Sequence, residues 1–318
     1  MVWNCTALHR ILDRNYLSPA YGLEFAVGFP ANLVVVLGYI FCLPKWQSCN
    51  IYLFNLAVSD MIFLCTLLRL SCLYANDESE TNPVACILNR YVLHVNLYSS
   101  ILFMVWLSMD RFLLIKHPTR RHLLLQRRTA LVITGLSWLV VNVEVLPMIS
   151  LMVQDLQSWN WSRCNDFASL HGHINTFDYS LGLTFTGYIL PLLGLCYFSH
   201  QIKRLLQAQE RAVQRRKALY ARPLRVATSA AAMFFIMYTP YHVMRNVRIA
   251  FPQSSCSQQL CQACVEAAYT VTRPLAFLHS VINPVFYFFM GDKFRELLLS
   301  KIRKLFGKKG QPTSSENL

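Results

Sequence analysis

The sequence predicts an all-α membrane protein, a bundle of seven transmembrane helices followed by an amphipathic interfacial helix. Three observations carry this prediction. Hydrophobic residues make up 54% of the 318 and charged residues only 14%, with a mean hydropathy of +0.34; an ordinary soluble domain is roughly 25% charged. Seven apolar stretches reach the length of about 20 residues that a spanning helix needs. The basic residues also gather in alternate gaps between these stretches, as the positive-inside rule requires of a multi-pass protein.

The stretches fall at about 18–43, 50–74, 84–115, 127–153, 177–205, 222–249 and 265–290. Short connections between them leave no room for a soluble domain, so 18–290 reads as one helical domain after a segment 1–17 outside the membrane. No internal repeat of the transporter kind is present. The N-terminus lacks an apolar run of signal-peptide length, so the first helix is expected to act as its own insertion signal. With even-numbered gaps outside, the cytoplasmic parts hold 22 of the 30 Lys and Arg and five acids, and the remainder holds eight bases against 11 acids. The N-terminus is therefore expected outside and the C-terminus inside. A basic balance placed this way suits anionic membrane lipid and an intracellular partner, not nucleic acid.

Pro30, Pro191, Pro240 and Pro284 fall mid-span, where a bundle tolerates the freed carbonyl and keeps a kink. Asn32, Asp60, Ser100 and Asn283 place polar groups near the middles of helices one, two, three and seven, and a mid-membrane Asp needs a partner or a cation. From Cys86 to Arg111 is 25 residues, or about 37 Å of helix, which sets these two residues at opposite membrane faces. Residues 291–306 alternate lysines and arginines with apolar residues, as an interfacial helix does, and 307–318 form a tail.

The chemistry-bearing anomaly is three arginines within apolar stretches, Arg90, Arg245 and Arg273, all toward the outer face. Each costs roughly 2.5–3.5 kcal/mol to insert, which makes it a functional-site hypothesis. Arg90 and His94 lie at i and i+4 on one face of helix three, and His242 and Arg245 at i and i+3 on helix six. Because the guanidinium fork matches two carboxylate oxygens, a dianion is expected to set one carboxylate between Arg90 and His94 and the other between Arg245 and Arg273. Tyr21 and Tyr74 are expected to donate hydroxyls, Phe167 to form a lid, and Asp166 to neutralise part of the cluster. The bland alternative for a lone arginine is snorkelling to the headgroups. By that reasoning Arg248 is expected at the solvated rim, and Arg69 either lines the pocket or pairs with Glu24. Sequons at Asn4 and Asn160 fall outside, as do Cys5, Cys86, Cys164, Cys256, Cys261 and Cys264.

These residues, taken in order, resemble the rhodopsin-like G-protein-coupled receptors. The resemblance rests on Asn32, on Asn55-Leu56-Ala57-Val58-Ser59-Asp60, on Cys86, and on Asp110-Arg111-Phe112. It continues through Trp138, Pro191, Pro240, Asn283-Pro284-Val285-Phe286-Tyr287 and the amphipathic run from Asp292 to Phe306. It implies a disulfide Cys86–Cys164 and no enzyme activity. It also implies a heterotrimeric G protein as partner, with Asp110, Arg111, Tyr238, Pro240, Asn283, Pro284 and Tyr287 in coupling and switching. Arrestin and a receptor kinase would act at Thr313, Ser314 and Ser315, and a sodium ion at Asp60 and Ser100 would be the one cofactor-like modulator. A second bridge from Cys5 to Cys261 competes with Cys256 and Cys264, and spacing does not choose.

Residues 50–56, 89–94, 164–169, 239–249 and 272–287 look like the branch of that family that responds to a small dicarboxylate such as succinate, acting through inhibitory-type and then phospholipase C-coupled G proteins. Receptors for 2-oxoglutarate or a purine nucleotide share His242-x-x-Arg245 and Arg273 and are the alternative. A dicarboxylate transporter is more distant, since the repeat is missing and the helix count is odd. Departures from the family pattern are Tyr238 for a tryptophan, Ser199 for a tyrosine, Arg69 one turn deeper than usual, and His279 for an asparagine at the sodium pocket.

Overall fold

A computed structural model of the protein describes residues 10–117, 122–161, 164–170, 173–210, 217–250, 259–290 and 300. Asn4, Cys5, Cys256, Thr313, Ser314, Ser315 and nearly all of the expected interfacial helix lie outside the described residues, as do the side chains of Cys261 and Tyr287. Among the described residues every regular element is helical, which bears out the all-α membrane fold class. The seven helices are α1 (Ser18–Cys42), α2 (Ser48–Ala75), α3 (Pro83–Lys116), α4 (Arg127–Ser158), α5 (Thr176–Thr184 continuing to Leu190–Glu210), α6 (Lys217–Ala250) and α7 (Gln259–Phe277, then His279–Met290). Helices α1 to α5 are by themselves long and apolar enough to cross a membrane. Helices α6 and α7 carry more polar groups, and turn Arg245, His242, Arg273, His279 and Asn283 inward.

Each helix sorts its residues between lipid and core. On α1 the buried stripe is Tyr21, Glu24, Gly28, Asn32, Val35 and Tyr39, which packs on α2 and α7. Leu23, Val27, Val34, Leu37 and Ile40 point away from the bundle. Helix α3 runs through the middle and is buried along nearly its whole length. Its start is well specified: Pro83 needs no amide partner in the first turn, and the Asn82 side chain accepts from the amides of Val84 and Ala85. Trp138 on α4 donates its indole N–H to Asn55 Oδ1 on α2 at 3.1 Å, fixing that pair across the lipid-facing side.

Proline shapes the two helices nearest the pocket. Pro191 follows a π-helical stretch, Phe185–Ile189, in which the widened turn relieves the clash between the proline ring and the carbonyl four residues earlier. Within this stretch Gly187 lies against the ring of Tyr98 on α3; a Cβ there would sit 2.4 Å from the ring. In α7, Pro284 frees the carbonyl of Ser280. Asn32 on α1 donates its amide to that oxygen at 2.9 Å, so the kink is satisfied by a neighbouring helix. A further break at Leu278 separates the two halves of α7.

Candidate ligand-binding site

At the end of the bundle remote from Asp110 and Arg111, α3, α5, α6 and α7 bring their buried polar groups to one place. Helix α3 contributes Arg90, His94 and Tyr98 at successive turns of one face, α6 His242 and Arg245, and α7 Tyr269 and Arg273. Helices α1 and α2 supply Tyr21 and Tyr74, whose ring centroids are 6.2 Å apart. The disulfide Cys86–Cys164 forms. It ties the loop after α4 to the top of α3, and two residues on, Asp166 and Phe167 enter the cluster. Phe167 is 2% exposed. Its ring lies 5.2 Å from that of His94, and the Arg245 guanidinium carbon sits 5.2 Å over it.

The three arginines are held differently. Arg245 is fully buried. It donates to the Tyr98 hydroxyl at 2.7 Å, the Ser180 carbonyl at 3.1 Å and Thr184 Oγ1 at 3.0 Å. Arg273 donates to the Tyr74 hydroxyl at 3.2 Å and stands 3.9 Å from Asp166 Oδ2. Arg90 and Arg245 have no carboxylate within ion-pair distance among the described residues, and the Nε of each is buried without a hydrogen-bond partner. His94 donates Nδ1–H to the Arg90 carbonyl at 2.8 Å, leaving a buried, unpartnered Nε2. His242 stacks on Tyr188 at 4.6 Å, and both its ring nitrogens are unpartnered, as is the Tyr21 hydroxyl. Buried polar groups are nearly always satisfied, and charged groups most of all. The Nε–H groups of Arg90 and Arg245 and the Tyr21 hydroxyl are uncommitted donors, so the cluster offers an anion hydrogen bonds and an excess of positive charge.

The rim arginines are neutralised. Arg69 pairs with Glu80, Arg248 with Glu266, and Arg14 stands 3.8 Å from Asp77. The expectations that Arg69 lines the pocket or meets Glu24 are thus replaced by a loop partner 11 residues on. Arg248 is not simply solvated, since it bridges α6 to α7 and reaches Ser169 Oγ at 3.4 Å. The hydrogen bond from Arg69 holds the Glu80 carboxyl below its usual range. Burial opposes ionisation of Asp166, but Arg273 and then Arg90 overcome it, and the carboxyl is held below the usual carboxylate range.

Away from the pocket, Tyr238 donates its hydroxyl to the Leu97 carbonyl at 3.0 Å, a tether between α6 and α3. Asp110 accepts from Ser48, and Asn283 donates to Asp60 at 2.8 Å. Arg111 lies beside Asp110 in the last turns of α3, and Pro240 lies within α6. Asn160 is exposed in the turn after α4 at φ 49°, a conformation asparagine tolerates. Tyr98, Ser180, Thr184, Tyr188 and Tyr269 were not among the sequence candidates. Tyr98 carried a signal, being one turn below His94 on the same face. The hydroxyl residues of α5 carried none, since nothing in their spacing separates them from ordinary helix–helix contacts.

A seven-helix bundle with buried arginines gathered under a disulfide-tied loop at one end and an Asp-Arg pair at the other is the architecture of a transmembrane receptor. Residues 31–287 match the profile of the 7 transmembrane receptor (rhodopsin family), and the chain belongs to that family. It is thus a G-protein-coupled receptor and not an enzyme, a multi-pass plasma-membrane protein whose partners are a small-molecule ligand and a heterotrimeric G protein. Among curated relatives it is 45% identical over 304 residues to succinate receptor 1 of Mus musculus, covering 95% of each chain. It is 30% identical to 2-oxoglutarate receptor 1 of Rattus norvegicus, covering 94% of this chain and 88% of that one. It is also 30% identical to a purinoceptor of Homo sapiens, covering 91% and 78%.

Proposed function

We propose that this receptor senses a small extracellular dicarboxylate, succinate foremost, with its N-terminus outside and its C-terminus in the cytoplasm. The observation that carries the reading is the pair Arg90 and Arg245, two buried guanidinium groups without a carboxylate partner among the described residues, beside Arg273, which shares Asp166. One ligand carboxylate engages Arg90 and His94. The second engages Arg245 and Arg273, with hydroxyls from Tyr21 and Tyr74 and with Phe167 closing above. Such a ligand must bind more tightly to the state in which the cytoplasmic ends of α5 and α6 part; that state presents Arg111 to a G protein, inhibitory type first and phospholipase C-coupled type second. Thr313, Ser314 and Ser315 are the candidate sites for receptor kinase and arrestin. The 45% identity to a succinate receptor supports the choice of ligand.

The test is a panel of succinate, maleate, 2-oxoglutarate and ATP, read as G-protein activation in cells expressing the receptor. Succinate is expected to be the most potent. A response to ATP alone would overturn the dicarboxylate reading, and a preference for 2-oxoglutarate would move it to the longer diacid.

Asp166 competes with the ligand for Arg273. Asp166→Asn is therefore expected to lower the succinate EC50 about three- to ten-fold, on the scale of an ion contact worth roughly 1 kcal/mol. Because the carboxyl is held below its ordinary range, the contact persists above the usual carboxylate pKa and is lost only as pH falls through the depressed value. Between about pH 5 and 8 the ratio of mutant to wild-type EC50 should stay constant; a ratio that collapses toward one at the acidic end would show that Asp166 titrates there.

A further inference from the structure

The polar cluster around Asp60 places a side chain where the family resemblance leads one to expect an ion. Asp60, Ser100, His279, Ser280 and Asn283 are all fully buried, and Asn96 is 1% exposed. Asp60 Oδ1 accepts from Asn96 Nδ2 at 3.0 Å, Ser280 Oγ at 2.9 Å and Ser100 Oγ at 3.4 Å, and Oδ2 accepts from Asn283 Nδ2 at 2.8 Å. The carboxylate thus spends its lone pairs on four neutral donors. Oxygens of Asn96, Ser100 and Ser280 converge on one atom of His279. Its Nε2 lies 3.1 Å from Asn96 Oδ1, 3.2 Å from Ser100 Oγ, 3.1 Å from Ser280 Oγ and 3.8 Å from Asp60 Oδ1. These are the oxygens that would have to ligate a cation between Asp60 and Ser100.

The hydrogen count is informative. Nδ1 of His279 is 2.7 Å from the Ala276 carbonyl, which can only accept, so Nδ1 carries a hydrogen. Asn96 has its amide nitrogen committed to Asp60 and Ser59, so the oxygen is the atom that faces Nε2. Nε2 faces this oxygen and the hydroxyls of Ser100 and Ser280. The ring therefore fills the space beside the buried carboxylate. Phe63 on α2 and Phe234 and Tyr238 on α6 wall it in, at ring distances of 6.1, 6.1 and 5.4 Å.

We propose that His279 takes the place of a monovalent cation in this receptor: its ring occupies the position beside Asp60, and the protein does not respond to sodium. The residues present do not fit a sodium ion: the oxygens of Asn96, Ser100 and Ser280 are already turned to the imidazole nitrogen, and the ring fills the space beside Asp60 that the ion would need. A ligand that binds one state only must shift that state's population. A receptor with no place for the ion therefore shows no such shift.

The experiment exchanges about 150 mM sodium chloride, a physiological ionic strength, for N-methyl-D-glucamine chloride. It measures the G-protein response to succinate and the thermal stability of the purified receptor. Wild type is expected to show no change in either. His279→Asn removes the ring while keeping a polar side chain. It is expected to acquire a sodium-dependent EC50 shift of about five-fold or more, the lower end of ordinary allosteric coupling, and a stability gain in sodium. His279→Gln serves as the second variant if the first expresses poorly. A sodium shift in the wild type would overturn the proposal. So would a folded, ligand-responsive His279→Asn receptor that remains blind to sodium. Stability is read without ligand, so the result stands even where another ligand replaces succinate.

Discussion

Arg245→Ala is expected to abolish the dicarboxylate response at any practical ligand concentration while leaving the receptor at the cell surface. Removing one member of a buried charge pair costs about 2–5 kcal/mol, which is roughly 30- to 4,000-fold in affinity. Arg245 belongs at the upper end because it is fully buried and water cannot replace it. The groups it leaves behind, Tyr98, Ser180 and Thr184, are neutral, so the empty position does not strand a charge. For that reason the loss should appear in ligand response more than in folding. Arg245→Lys should rescue little. One ammonium cannot reach the Tyr98 hydroxyl and the α5 oxygens together while also presenting a fork to the ligand. Surface immunolabelling alongside concentration–response curves is the check, and an unchanged succinate EC50 in Arg245→Ala would sink the assignment of the pocket.

The second large effect comes from a residue with no side chain. Gly187→Ala is expected to reduce succinate potency ten-fold or more and to destabilise the receptor by about 1–3 kcal/mol, the cost of overpacking a well-packed site. The added Cβ would meet three ring atoms of Tyr98 at 2.4 to 3.0 Å. A ring cannot fold away as a flexible chain end does, and its hydroxyl is the partner of Arg245 Nη1. Displacing it therefore moves the arginine. Gly182→Ala is the matched control. It lies on the same helix and its Cβ would meet nothing within 4 Å. Helix propensity alone should make it neutral or slightly stabilising. Thermal unfolding and EC50 measured on both variants separate the contact from the propensity, and equal behaviour of the two would remove the argument.

Both predictions depend on contacts across helices, and this divides what was legible in the sequence from what was not. Arg90, His94, Arg245 and Arg273 announced themselves because a charge in an apolar run is expensive, and expense is visible one residue at a time. Their mutual spacing within a helix followed from the helical repeat. Arg69 shows the limit. It is as costly in its run as the others, yet a glutamate in the following loop neutralises it, and only the loop's path decides that. Arg248 passes from an isolated rim charge to a bridge between α6 and α7 for the same reason. His279 could be noticed as unusual from the sequence. That three oxygens from α3 and α7 converge on a single ring nitrogen could not.

By itself the sequence determined the bundle, its expected sidedness and the identity of its costly residues, because partition into a bilayer depends on the chemistry of short contiguous runs. The tertiary structure alone decided which of those charges are satisfied internally and which are left for a ligand. That outcome turns on distances of a few ångströms between helices, set by the rotation of each helix about its axis, by the π turn before Pro191, and by a loop pinned through Cys86 and Cys164. Arg90 and Arg245 carry the same charge as Arg69 and Arg248. What distinguishes them is that no carboxylate reaches them among the described residues.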